Sequence, residues 1–212
     1  MPKSTFHNLP DQRKNEITQA AIDEFSKHSY QEASINRICK NAEMAKGSFY
    51  QYFEDKLDLY VHLMSKATDE KMATFGTLIQ ELSQLDFLSQ IEALYMKGIE
   101  YAVLKPKYAE LAKRFSEERQ IDVKNAILKG NTARASAFYE MLIEQAKTKG
   151  TIRETVDTRA FAMLISAMND SVMSYTSEEY GTVDYVRDRE AILKFIGLQM
   201  DILKKGVDNM TE

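Results

Sequence analysis

The chain has 212 residues, with 28 Lys and Arg against 32 Asp and Glu, a formal net charge of −4 and a single cysteine, Cys39. It is 44% hydrophobic and 28% charged, a globular composition, and its eight Gly and three Pro are too few for the many turns of an all-β fold. No apolar run is long enough to cross a membrane, the N-terminus carries no apolar signal core, and one cysteine excludes an internal disulfide or a multi-cysteine metal site. A cytoplasmic protein, neither membrane-spanning nor secreted, is the expectation. The negative balance gives no global sign of affinity for nucleic acid, so any DNA contact must come from a local surface.

In chain order, Ile17, Ala21 and Phe25 recur at a spacing of four and predict a first helix over residues 10–27, with Pro10 at its start. A short helix follows, with Ser34 as N-cap and Ile35, Ile38 and Ala42 as its apolar positions. After Glu43, Met44 and Ala45 comes a second short helix that carries Phe49 and Phe53. Asp55 then opens a long helix whose stripe runs through Leu59, Leu63, Met72, Phe75 and Ile79, with Asp55 and Asp58 suited to the positive end of its dipole. Asp86 caps a helix expected to reach Lys105, where Pro106 stops it. Further helices are predicted near 107–117, 119–129, 132–149, with Gly150 as a stop, and 157–178; the last spans about 184–207. There is no internal repeat, no low-complexity segment and no linker between halves. The expected fold is all-α, with two domains that share a long helix.

Two short helices joined by a tight turn form the minimal helix-turn-helix, whose second helix enters the DNA major groove. Ile35, Ile38, Met44, Phe49 and Phe53 can bury against Ile17, Ala21 and Phe25. Lys46, Ser48, Gln51 and Tyr52 then face outward, groups that reach base edges and phosphates, and Gly47 leaves room for a close approach. The electrostatic footprint is weak: between Ser34 and Lys56, Arg37, Lys40, Lys46 and Lys56 stand against Glu43, Glu54 and Asp55. A solvated helical hairpin is the alternative that pattern leaves open.

Residues 11–60 resemble the N-terminal domain of the TetR (tetracycline repressor) family of transcriptional regulators. The resemblance rests on Ile17-x-x-Ala20-Ala21-x-x-x-Phe25, then Ser34-x-x-x-Ile38-x-x-x-Ala42, then Lys46-Gly47-Ser48-Phe49-Tyr50-Gln51-Tyr52-Phe53-x-x-Lys56-x-x-Leu59. It covers about a quarter of the chain. It implies a three-helix DNA-binding domain over 11–71, with its helix-turn-helix at 34–53, joined to a helical ligand-binding and dimerisation domain over 72–212. By position it makes Asn36, Lys46, Ser48 and Gln51 candidate base readers and places Gly47 at the DNA surface. Ser34, Tyr50, Tyr52 and Lys56 become candidate phosphate contacts, Lys56 in the first turn of the long helix where backbone N–H groups also favour an anion. Packing is the other role open to Tyr50, and capping the other role open to Ser34. The sequence departs from the family pattern at Ser29, Glu43 and Ala45, which stand where glycine, glycine and serine are usual.

The resemblance further implies a homodimer built from the helices near 157–178 and 184–207 that reads a palindromic double-stranded operator and answers to a small-molecule effector. Phe161, Leu164, Ile165, Met168, Val172 and Tyr175 stripe the first of these helices. Ile192, Leu193, Ile196, Met200, Leu203 and Val207, widened by Phe195 and Ile202, stripe the second, and so broad a face suits burial on two sides. Tyr95, Met96, Tyr101, Tyr139, Met141 and Met173 are possible pocket residues or plain core, with Arg114 and Asn169 as polar groups able to orient a ligand. No catalytic constellation can be assembled. His7, His28 and His62 are scattered, Asp58 and His62 make only a pair, no phosphate-binding glycine motif occurs, and Cys39 fits a packed structural thiol. The expectation is a regulator, not an enzyme, with no cofactor, no metal and no membrane partner, acting as a repressor that an inducer releases. The alternative is a helical small-molecule-binding or protein-interaction module that has lost specific DNA binding.

Overall fold

The computed structural model describes residues 2–180 and 184–205, and within them the side chains of all but residues 77–81, 130–135, 173, 177 and 180. Among the described residues every regular element is helical: α1 (Ser4–His7), α2 (Asp11–Lys27), α3 (Ile35–Asn41), α4 (Lys46–Tyr52), α5 (Lys56–Leu82), α6 (Phe87–Leu104), α7 (Pro106–Ser116), α8 (Ile121–Thr148), α9 (Thr158–Tyr180) and α10 (Arg189–Lys205). They form two compact units, one of residues 1–70 with 105–131, the other of residues 71–104 with 132–212. The helices α5 and α8 each continue from one unit into the other.

Helix ends follow local chemistry. The Ser34 hydroxyl accepts the Arg37 N–H at 3.4 Å and starts α3. At the start of α5, Asp55 Oδ1 accepts the Asp58 N–H (2.8 Å) while Asp58 Oδ2 accepts the Glu54 N–H (3.1 Å), a reciprocal pair close to a capping box. Asp86 Oδ1 caps α6 through the Ser89 N–H (3.1 Å). Pro106 begins α7 as well as ending the helix before it, because its missing N–H is unpaired in a first turn anyway. Gly150 takes a φ of +70°; its N–H reaches Lys147 O (2.8 Å) and that of Thr151 reaches Ala146 O (3.0 Å), the double closure of a Schellman end.

Three boundaries differ from the sequence expectation. Residues 119–149 hold one helix, α8, rather than two: a glycine at 130 costs about 1 kcal/mol in a helix, and the burial of Val123 and Ile127 before it and of Leu142, Ile143 and Ala146 after it outweighs that. The last helix begins at Arg189, because Asp184 Oδ1 accepts the Val186 and Arg187 N–H groups (3.0 Å each) and bends the chain first. The helix α1 had no apolar period long enough to predict it. Residues 206–207 of the expected last helix, and Val207 with them, lie outside the described residues.

In the first unit Ile17, Ala21, Ile22 and Phe25 of α2, Ile38 of α3, Phe49 of α4, Phe53 and Leu59 are buried, and α2 packs on α3. The helix α7 packs along α2 in the same unit, where Lys107 Nζ pairs with Asp23 at 2.5 Å. In the second unit Phe87, Ile91, Leu94 and Ile99 of α6 pack with Leu142 and Ile143 of α8, Ile165, Met168 and Val172 of α9, and Ile192, Ile196 and Met200 of α10.

Candidate nucleic-acid interface

The helices α3 and α4 are each two turns long and meet at a turn closed by the Met44 N–H on Cys39 O (2.9 Å). Glu43 sits in that turn at a φ of +47°, left-handed backbone that a non-glycine residue enters at a cost of about 1–2 kcal/mol. Ala45 starts α4 with no side-chain cap. The pair is held by Phe49 and Phe53, both fully buried, and by Ile38, Cys39 and Ala42. Cys39 is 4% exposed and burial pushes its thiol pKa up, which suits the packed structural role.

An ion pair between the buried Glu24 and the exposed Arg37 fixes α3 to α2. The Glu24 carboxylate, 4% exposed, accepts Arg37 Nε (2.9 Å) and Nη2 (2.5 Å) and the Ser34 backbone N–H (2.8 Å). Burial alone would raise its pKa; the Arg37 and Ser34 donors outweigh this and hold it below the ordinary value. Arg37 also donates to Glu32 O (2.8 Å), so one of the four basic groups of this segment is engaged within the protein. Sequence reading did not single out this pair: residues 24 and 37 lie 13 apart on two helices, and no periodicity links them.

The candidate DNA contacts divide by surroundings. Asn36, Lys46, Gly47 and Gln51 are exposed, Ser48 is half-buried, and Tyr50 is 44% exposed with its ring edge against Phe49. A Cβ built on Gly47 meets no atom within 4 Å, so nothing inside the free protein demands glycine there. Tyr52 is half-buried against Phe6, ring centres 6.2 Å apart. Ser34 acts as a helix cap. Lys56 is engaged too: its ammonium donates to Gln31 O (3.2 Å) and Ala33 O (3.0 Å) and lies 4.7 Å above the Tyr30 ring, and burial lowers its pKa. It ties the loop before α3 to α5 within the free protein.

In the second unit, Tyr95 and Tyr139 are buried. Tyr95 Oη donates to Ile165 O (3.0 Å) and Asn169 Nδ2 donates to Tyr139 Oη (3.2 Å). Met96 and Tyr101 are half-buried, Met141 is exposed, and the Met173 side chain lies outside the described residues. Arg114 belongs to the first unit, where it pairs with Glu110 (3.4 Å) and Glu117 (3.9 Å). Lys71 of α5 has its ammonium 5.5 Å from the Phe75 ring centre, and burial lowers its pKa. His62 is half-buried beside Phe6 and Phe53, with Asp58 as a neighbouring opposite charge. Among the described residues no helix is long and apolar enough to cross a membrane, and no group of three or more His, Cys, Asp or Glu could hold a metal ion.

These features define an all-α protein whose N-terminal domain carries a helix-turn-helix on a three-helix core. Residues 17–63 match the family described as bacterial regulatory proteins, tetR family. The N-terminal domain is a tetR-family domain, and over most of its length the chain is similar to transcriptional regulators of that family. The fatty acid metabolism regulator protein of Bacillus subtilis is 22% identical over 170 residues, 77% of this chain and 84% of that one. A TetR family transcriptional regulator from Chloroflexus aurantiacus is 26% identical over 97% of this chain and 98% of its own, with a TM-score of 0.63. The fold is also that of the Bacillus subtilis regulator FadR, solved in complex with stearoyl-CoA, at a TM-score of 0.70 and 15% identity over 92% of this chain and 99% of that one.

Proposed function

We infer that this protein binds a palindromic operator as a homodimer and represses transcription until a small molecule releases it, with α4 as the helix that enters the major groove. The observation that carries the reading is the division of α4 in a tetR-family domain: Phe49 is fully buried, while Lys46, Gly47, Tyr50 and Gln51 are exposed. Lys46, Ser48 and Gln51, with Asn36 at the start of α3, supply the base contacts, and Tyr50 the phosphate contact. Ser34, Tyr52 and Lys56 contribute through the protein's own structure, as cap, ring packing and loop tie. The second unit, residues 71–104 with 132–212, holds the effector and the dimer contact. A fatty acyl-CoA is the effector class to test first, since relatives include a fatty acid metabolism regulator and a regulator solved with stearoyl-CoA. The effector favours a dimer whose two α4 helices no longer match successive major grooves about 34 Å apart.

The test is selection of binding sequences from a random duplex pool at two salt concentrations, followed by titration of the winner with stearoyl-CoA as probe. A palindrome with half-sites about one helical turn apart is expected, with a loss of about 1–3 kcal/mol for each of Lys46→Ala and Gln51→Ala. DNA and stearoyl-CoA should weaken each other by one common factor. Sequence-blind binding by ligand-free protein would overturn the operator reading; independent binding of the two would overturn stearoyl-CoA as inducer.

A further inference from the structure

The segment before α2 is tied to the far end of α4. A helix of seven residues cannot pair its last carbonyls internally, and after the Phe53 N–H has closed on Phe49 O (2.9 Å), those of Tyr50, Gln51 and Tyr52 remain. Each receives a donor from one tripeptide. Lys3 Nζ donates to Tyr50 O (2.9 Å), Thr5 Oγ1 to Gln51 O, and the Lys3 N–H to Tyr52 O (2.8 Å). The Lys3 ammonium also pairs with Glu54 (2.8 Å), so a positive charge stands at the negative end of the α4 dipole. Phe6, 3% exposed, anchors the segment: its ring centre is 4.9 Å from that of Phe53 and 5.4 Å from that of His62. Lys14 of α2 holds the other end through His7 O (3.4 Å).

We propose that Lys3–Phe6 is a clamp that completes the C-terminal end of α4 and fixes its rotation, so that the sequence selectivity of α4 depends on residues that touch no base. The proposal rests on the reading of α4 as the DNA-reading helix. Its physical ground is the weakness of α4 alone. Two turns are far below the length at which a helix is stable in water, and the N-cap, Ala45, offers no side-chain acceptor. Lys3 and Thr5 are positioning residues that act through the backbone of Tyr50, Gln51 and Tyr52. Their removal frees the last turn, which carries Gln51, while Phe49 and Phe53 keep α4 in place.

The test compares Lys3→Met/Thr5→Val, which removes both side-chain donors, with Lys3→Arg/Thr5→Ser, which keeps them. Hydrogen exchange at residues 49–53 should rise roughly tenfold in the first variant, with α2 unchanged, and return toward wild type in the second. The preference for the selected palindrome over a scrambled duplex should fall roughly tenfold in the first variant, with affinity for the scrambled duplex unchanged. Exchange and discrimination both equal to wild type would overturn the clamp; faster exchange with full discrimination would overturn its link to selectivity. If wild-type protein prefers no sequence, the DNA reading falls and takes the selectivity link with it, and exchange alone then upholds or overturns the clamp.

Discussion

Glu43 and Gly47 are four residues apart and each stands where backbone geometry would suggest the other. Glu43 holds a φ of +47° with a side chain, while Gly47 lies within α4 with open space where a Cβ would be. Glu43→Gly relieves left-handed strain and gives back part of the gain as unfolded-state entropy, so a rise of about 0.5–1 kcal/mol in unfolding free energy is expected by urea titration. An unchanged or lower midpoint would mean that the turn carries no strain. Gly47→Ala should also stabilise the free protein, by about 0.5–1 kcal/mol, because alanine is the better helix former. On the proposed function it should at the same time weaken operator binding in gel-shift titrations, since the added methyl group occupies the space of the DNA backbone. A stabilised variant that binds DNA as well as wild type would remove Gly47 from the interface.

Among the elements, the contact of α1, α4 and α5 around His62 predicts acid sensitivity. Burial beside Phe6 and Phe53, with Lys66 and His7 as further positive neighbours and Asp58 as the opposing charge, pushes the His62 pKa down to about 4. The unfolded chain binds its proton near 6.5 and the folded one does not, so stability is intact above pH 6.5 and falls as pH drops from 6.5 toward 4. The loss should be on the order of 2 kcal/mol once partial solvent screening is allowed for, and His62→Phe should remove most of that slope in thermal melts between pH 7 and 4. An equal slope in the variant would place the acid sensitivity elsewhere, with Glu24 next in line because its lowered pKa also makes stability fall as pH drops. At this scale the helices themselves were legible in the sequence: Ile17, Ala21 and Phe25 are all buried, and Ser34, Asp55, Asp86 and Gly150 punctuate the chain where their side chains or missing side chain suggested. The clamp from Lys3 was not, because it joins backbone carbonyls to residues nearly fifty positions away.

For the whole molecule, the expected stripes of α9 and α10 divide into two faces. Ile165, Met168, Val172, Ile192, Ile196 and Met200 are buried in the second unit, while Leu164 is 48% and Ile202 55% exposed; Leu198, outside the expected stripe, is 55% exposed as well. The Tyr175 and Phe195 rings stack at 4.1 Å between the two helices. Exposed leucine and isoleucine beside a buried stripe on the same helices are what the proposed homodimer would cover. Leu198→Glu should then shift the protein from dimer to monomer in sedimentation and weaken operator binding, with little change in the helical signal. A monomeric wild type, or a variant that stays dimeric, would place the interface elsewhere.

Periodicity and caps were sufficient for the all-α fold, since each helix depends on residues within a few positions of one another. The helix-turn-helix and the tetR-family domain became legible through the family resemblance carried from Ile17 to Leu59, where pattern alone left a solvated helical hairpin open. Partnership between distant segments was decided only in three dimensions. That α7 packs on α2, that α8 runs unbroken through residue 130, that Arg37 serves the buried Glu24 and that Lys56 serves two loop carbonyls follow from burial and hydrogen bonds between groups far apart in the chain. An apolar stripe says that a face will be covered. Which face covers it, and which charges are neutralised on the way, depends on the competition among all such faces at once, and only the folded chain resolves it.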